Sequence, residues 1–371
     1  MKRKFIASLL LAAVAVAAAG CASNETDISP GDGRSSISSA PPAALSGTLS
    51  GGGASSQTAA QEAWRAGFQA AHPGVTVDYD PTGSGTGRTN FSDGGFFFAG
   101  SDAPFGQAAA SGAFAACAPG SALVEVPAYI SPIAVAFNLD GVASLQLDAA
   151  VIAQIFTGQI NRWDDPAIAA ANAGAELPDA AITPVHRSDK SGTTENFTDY
   201  LNQVAPGQWP YEAAEEWPAE LQGEAAEKTQ GVRQTVSSTP GAIGYLDASQ
   251  AGGLGTAAIK VGSAYVPYSP AAATAAVGQS ALQPGRAATD VVVDLDRTLS
   301  QGQVYPLVLV SYLAACQRYA DPDVGALAKA YLEYVTSAAG QQAAADHAGS
   351  APITADPALA PKVAAAVAAM G

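Results

Sequence analysis

Strand-like and helix-like segments alternate along this chain, and the turns between them are rich in glycine and hydroxyls. Residues 47–50 read as a short strand running into Gly51-Gly52-Gly53-Ala54-Ser55-Ser56. Ala60, Trp64, Phe68 and Ala71 then recur on one face at helical spacing, and His72-Pro73-Gly74 closes that helix. Residues 75–79 alternate as a strand, and a second glycine-rich turn, Gly83-Ser84-Gly85-Thr86-Gly87, follows. Residues 96–99 read as a buried strand that stops at Ser101-Asp102-Ala103-Pro104. Further strands are predicted over 133–137, 182–186, 242–246 and 304–310. Leu327, Ala330, Tyr331, Tyr334 and Val335 mark a late amphipathic helix. Such alternation restricts the chain to α/β layers with mainly parallel sheets. Residues 271–288 are rich in small side chains and are expected to form a surface excursion. No repeat is visible.

The 371 residues are 48% hydrophobic and 13% charged, which suits large cores and about two domains. Residues 1–20 form an export signal: Lys2, Arg3 and Lys4 precede an apolar run over 5–19. That run is too short for the ~20 residues a bilayer span needs. Ala18-Ala19-Gly20-Cys21 resembles the end of a bacterial lipoprotein signal, although Ala18 stands where Leu is usual. The resemblance implies that Cys21 is lipidated, with palmitate among its acyl chains, and becomes the mature N-terminus. The alternative is an ordinary cleaved signal with an incidental cysteine. Residues 21–44, rich in Ser, Gly, Pro and Ala, read as a flexible tether. Export places the remaining cysteines, Cys117 and Cys316, in an oxidising compartment, where an even pair points to a disulfide. No metal site is expected, because no C-x-x-C occurs and His72, His186 and His347 are scattered.

The net charge of −16 excludes nucleic acid as a partner. It does not exclude a small anion, since distant surface charge is screened beyond about 8 Å at physiological salt. The stretch His186-Arg187-Ser188-Asp189-Lys190-Ser191-Gly192-Thr193-Thr194-Glu195-Asn196-Phe197 has the chemistry to hold one. Arg187 offers a planar fork of donors. Ser191, Gly192 and Thr193 would set hydroxyls and free amides at a helix N-terminus. Ligands of open α/β sheets bind beyond the carboxyl ends of strands. Ser55, Ser56, Ser84, Asp102 and residues 187–193 could therefore converge on one point. His186 is expected beside the site, Lys190 in solvent, and Trp64 and Phe68 in the core.

Five segments in order resemble the phosphate-binding protein of the bacterial ABC-type phosphate importer. They are Gly83-Ser84-Gly85, Ser101-Asp102-Ala103-Pro104, Gly158-Gln159-Ile160-Asn161-Arg162-Trp163-Asp164-Asp165, Arg187-Ser188-Asp189-Lys190-Ser191-Gly192-Thr193 and Pro240-Gly241-Ala242-Ile243-Gly244-Tyr245. The resemblance implies a type II periplasmic-binding-protein-like clamshell with the ligand at the hinge. Lobe 1 would comprise 45–131 plus 293–371, and lobe 2 would comprise 132–292. It implies phosphate contacts from Ser55, Ser56, Ser84, Asp102, Arg187, Ser191, Gly192 and Thr193, with Asp189 orienting the arginine. Relatives often have Thr-Phe where this chain has Ser55-Ser56, so Ser56 is expected to serve at least through its amide. The implied partners are inorganic phosphate and the permease subunits. The protein would be a lipid-anchored monomer on the extracytoplasmic face of the cell membrane, without cofactor or catalysis.

Asp102 would select the ligand. A carboxylate aimed at an oxyanion attracts it only if the ligand carries a proton to donate, as hydrogen phosphate does and sulfate does not. Two rivals remain, a binding protein for another tetrahedral oxyanion and a secreted phosphatase or phosphotransferase. Against the enzyme, residues 83–88 lack the G-x-x-x-x-G-K-[ST] pattern, and Ser191 has no base near it in sequence.

Overall fold

The computed structural model describes residues 44–371; the predicted export signal, Cys21 and all but the last residue of the predicted tether lie outside them. The first strand, β1 (Gly47–Gly53), leads through a single 3-10 turn into helix α1 (Thr58–Ala71). Ala60, Gln61, Trp64 and Phe68 are its buried face. Trp64 also donates its indole N–H to the Gly340 carbonyl at 2.8 Å, so its polar edge is satisfied in the core. β2 (Val75–Asp80) alternates buried and exposed residues, as a strand covered on one face must. β3 (Phe98–Ser101) lies on the other side of β1, and both neighbours run parallel to it.

The centre of the sheet departs from the parallel expectation. β4 (Leu123–Phe137) is 15 residues long and buried throughout. From Leu123 to Pro132 it pairs antiparallel with Cys316 to Val308 of the last strand. From Ile133 to Phe137 it pairs antiparallel with Asp247 to Ile243. The remaining strands along the main path of the sheet are β5 (Thr183–Arg187), β6 (Glu224–Ala226), β7 (Ala242–Asp247) and β8 (Val308–Cys316). Spatial order is β2-β1-β3-β8-β4-β7-β5-β6; the strand Gly255–Val261 also pairs with β4 and carries two short strands, Ser144–Leu147 and Ala264–Val266, giving an 11-stranded sheet. Parallel pairs occupy both ends and antiparallel pairs the middle. The reason is connectivity: a chain that leaves along β4 and returns along β8 passes the junction in opposite directions. β8 starts later than the predicted 304, because Pro306 interrupts the ladder just ahead of it.

Residues 271–288 are not merely a surface excursion. They include most of a helix, Pro270–Val277, with Ala272, Ala273, Ala276 and Val277 buried. Small side chains let this helix lie close against β4 and β8. The late helix spans Pro322–Thr336 and buries Leu327, Ala328, Tyr331, Leu332 and Val335. Trp163 donates to the Gly241 carbonyl at 3.0 Å, tying two of the recognised segments together as scaffold. Cys117 and Cys316 form the expected disulfide, with Cα atoms 5.3 Å apart. No helix among the described residues is long and apolar enough to cross a membrane.

Candidate functional site

Arg187 ends β5, and its side chain is fixed by one carboxylate. Its Nε donates to Asp189 Oδ1 at 2.7 Å and its Nη2 to Asp189 Oδ2, a bidentate pairing. Asp189 Oδ1 also accepts from the Lys228 amide at 2.9 Å. Lys228 has φ 64°, the one positive φ outside glycine among the described residues. Burial pulls the Asp189 carboxyl upward, but the hydrogen bond and charge of Arg187, with the Lys228 amide, outweigh it and hold it below its ordinary range. The guanidinium is 3% exposed, and its Nη1 makes no hydrogen bond among the described residues.

Helix α2 (Ser84–Ser92) and helix α3 (Gly192–Val204) begin beside it. Ser191 caps α3 by accepting from the Thr194 amide at 3.2 Å. The first amides of α3, at Gly192 and Thr193, have no carbonyl within the helix to bond. Gly192 is required here: a Cβ would lie 2.6 Å from the Ala103 amide nitrogen. The start of α3 is thereby pressed against the loop that follows β3.

That loop carries Asp102, which is 3% exposed. Thr193 Oγ1 donates to its Oδ2 at 2.7 Å, and Ser56 Oγ to its Oδ1 at 2.6 Å. Its own amide donates to Ser84 Oγ at 3.1 Å, and its carbonyl accepts from Asn196 Nδ2 at 2.9 Å. Gly53 makes the approach of Ser55 and Ser56 possible; it has φ 137°, and a Cβ there would sit 2.0 Å from the Gly100 carbonyl oxygen. Ser55 Oγ meets Thr229 Oγ1 at 3.0 Å and accepts from the Thr229 amide at 3.0 Å.

All eight predicted contact residues are thus gathered in one buried cluster, with Asp189 part-buried beside Arg187. The bystanders also fall as expected. His186 stacks on Trp217 with ring centroids 4.9 Å apart, and burial lowers its pKa. The Lys190 side chain is 62% exposed.

Four participants had not been predicted. Ser311 Oγ donates to Asp102 Oδ1 at 2.6 Å. Lys228 and Thr229 lend amides from the start of the helix Lys228–Ser238. Arg88 Nη2 pairs with Glu215 Oε2 at 2.5 Å, while its Nη1 holds Ser101 Oγ and the Ala103 carbonyl. Ser311 left one signal, a lone serine inside the apolar and aromatic run Val308-Leu309-Val310-Ser311-Tyr312-Leu313.

The cluster offers Arg187 held by Asp189, a helix N-terminus, several hydroxyls and, in Asp102, a carboxylate with no cationic partner among the described residues. This suits a small oxyanion that carries a proton.

A family model described as a PBP superfamily domain matches residues 38–339. The phosphate-binding protein PstS 3 of Mycobacterium tuberculosis is 36% identical over 307 residues, covering 81% of each chain. The phosphate-binding protein PstS of Xylella fastidiosa is 34% identical over 253 residues, 66% of each. Among solved structures, a high-affinity periplasmic phosphate-binding protein bound with phosphate, PfluDING, superposes with a TM-score of 0.71 at 22% identity, covering 86% of this chain and 93% of that one. A phosphate-binding protein from Stenotrophomonas maltophilia gives 0.64 at 20% identity, covering 87% and 94%. At such identities the superpositions speak for the fold alone.

Proposed function

Because the chain belongs to the PBP superfamily, and within it to the phosphate-binding proteins, we propose that it captures inorganic phosphate outside the cytoplasm and delivers it to an ABC-type import permease. The observation that carries this reading is the buried Asp102 carboxylate, which accepts from the hydroxyls of Ser56 and Thr193 with no lysine or arginine paired to it among the described residues. Ser55, Ser56, Ser84, Asp102, Arg187, Ser191, Gly192 and Thr193 are the proposed ligand contacts, and Asp189 fixes Arg187. Support for the arginine as principal donor is its bidentate anchor on Asp189 beside a free Nη1.

In the same reading the ligand sits between two lobes, 45–131 plus 293–371 and 132–292. The change of partner along β4 after Pro132 supports the first crossing. The bridge between Glu125 and Asp290 favours a return to lobe 1 a few residues before 293. Lipidation at Cys21, which lies outside the described residues, would keep the protein at the membrane as a monomer beside its permease. The reading assigns no catalysis.

Calorimetric titration with phosphate, sulfate and arsenate tests the proposal. Tight phosphate binding, with sulfate weaker by at least ~10³, is expected, the scale of about 4 kcal/mol. Equal affinity for sulfate, or turnover of a chromogenic phosphate ester, would replace it with one of the rival readings.

A further inference from the structure

Among the described residues no lysine or arginine pairs with Asp102. Three hydroxyls bond it instead: Ser56 and Ser311 donate to Oδ1, both at 2.6 Å, and Thr193 donates to Oδ2 at 2.7 Å. A carboxylate has about four acceptor positions. Three are filled by protein protons, which leaves one, on Oδ2.

The direction of the Ser311 bond is forced. Gln57 Nε2 lies 3.0 Å from the Tyr312 carbonyl oxygen, a group that can only accept. That fixes which end of the amide is nitrogen. The same nitrogen is 2.6 Å from Ser311 Oγ, so Ser311 accepts there and its one proton goes to Asp102. Behind Gln57 the order continues. Its Oε1 accepts from Gln61 Nε2 at 2.9 Å, and Gln61 Oε1 accepts from Tyr331 Oη at 2.7 Å. Gln57, Gln61, Ser311 and Tyr331 are at most 1% exposed, so no bulk water competes for these bonds. Ser311 reaches Asp102 at the point where the β8–β4 ladder slips by one residue, between Ser311 and Tyr312.

We propose that Gln57 and Ser311 are positioning residues that commit Asp102 to accepting, and so determine that the site takes only an oxyanion able to donate one proton. The inference rests on the phosphate reading above and deepens it. Without Ser311's proton, Oδ1 loses a donor and the carboxylate is free to turn its open acceptor position away from the ligand, so an unprotonated oxyanion is no longer met by a fixed acceptor.

The test is calorimetry of wild type, Ser311→Ala and Gln57→Met with phosphate and with sulfate, alongside thermal melts. In Ser311→Ala the preference for phosphate over sulfate should fall by at least ~10-fold, with sulfate gaining in absolute affinity. A purely structural role would weaken both anions together and leave the ratio unchanged, and that result would overturn the inference. Should Ser311→Ala not fold, Gln57→Met carries the same measurement, with the same two outcomes. Wild type that binds phosphate selectively beside variants with an unaltered ratio refutes the relay alone. Wild type that does not bind phosphate removes the underlying reading, and the relay with it.

Discussion

Thr193 donates its hydroxyl proton to Asp102 at 2.7 Å, although the two residues are 91 positions apart in the chain. The contact joins the start of α3 to the end of β3 through an acidic group. Replacing that group by an amide is therefore the sharpest probe of selectivity. Asp102→Asn should raise sulfate affinity while phosphate affinity changes by less than about ten-fold, or 1.4 kcal/mol. The measurement is the ratio of the two Kd values; an unchanged ratio would reduce Asp102 to a structural anchor.

Arg187→Lys should weaken phosphate binding by at least about 30-fold, roughly 2 kcal/mol, because a point charge cannot reproduce a planar fork. Asp189→Asn should cost less, about ten-fold, since it loosens the arginine without removing it. Titration calorimetry of both variants checks the order of the two effects.

Replacing both Cys117 and Cys316 by serine should lower the unfolding free energy by up to about 5 kcal/mol, given the 199-residue separation that the bond closes. Denaturant unfolding of wild type and the double variant measures this. Neither cysteine should react with a thiol reagent in the denatured, unreduced protein.

Asp247 is fully buried, and burial pushes its carboxyl up to about 6 despite bonds from Ser249. Its Oδ1 accepts from Tyr129 Oη and the Ser249 amide, whereas its Oδ2 has no partner among the described residues. A carboxyl raised on folding contributes stability fully below its unfolded pKa, and that contribution is lost as pH rises through the folded value. The melting temperature of the wild type should therefore carry a falling component between about pH 4 and pH 6. Asp247→Asn should remove that component and, at pH 8, stabilise the protein by on the order of 2 kcal/mol. Melts across this range would reveal it, and an unaltered pH profile would show that Asp247 keeps an ordinary pKa.

Much of the site was legible because its chemistry is local. Ser55-Ser56, Ser84 and the stretch from Arg187 to Thr193 announce themselves as hydroxyls and glycines at strand ends. Ser311 and Thr229 were not, because each acquires its role from a partner 209 or 174 positions away. The Pro270–Val277 helix was missed for a different reason. Its alanines carry no apolar stripe to count, although packing buries several of them. The antiparallel centre of the sheet follows from the direction of two crossings, which no local pattern encodes.

β8 lies between β3 and β4, and its last residue is Cys316. Those neighbours leave the ribosome long before their partner. Until residue 316 has emerged, both present bare edges that a wrong strand could occupy. The architecture therefore cannot be completed step by step from the N-terminus. It is closed by one late insertion between strands distant in sequence, which makes folding slow and favours a chain kept open until synthesis is nearly finished.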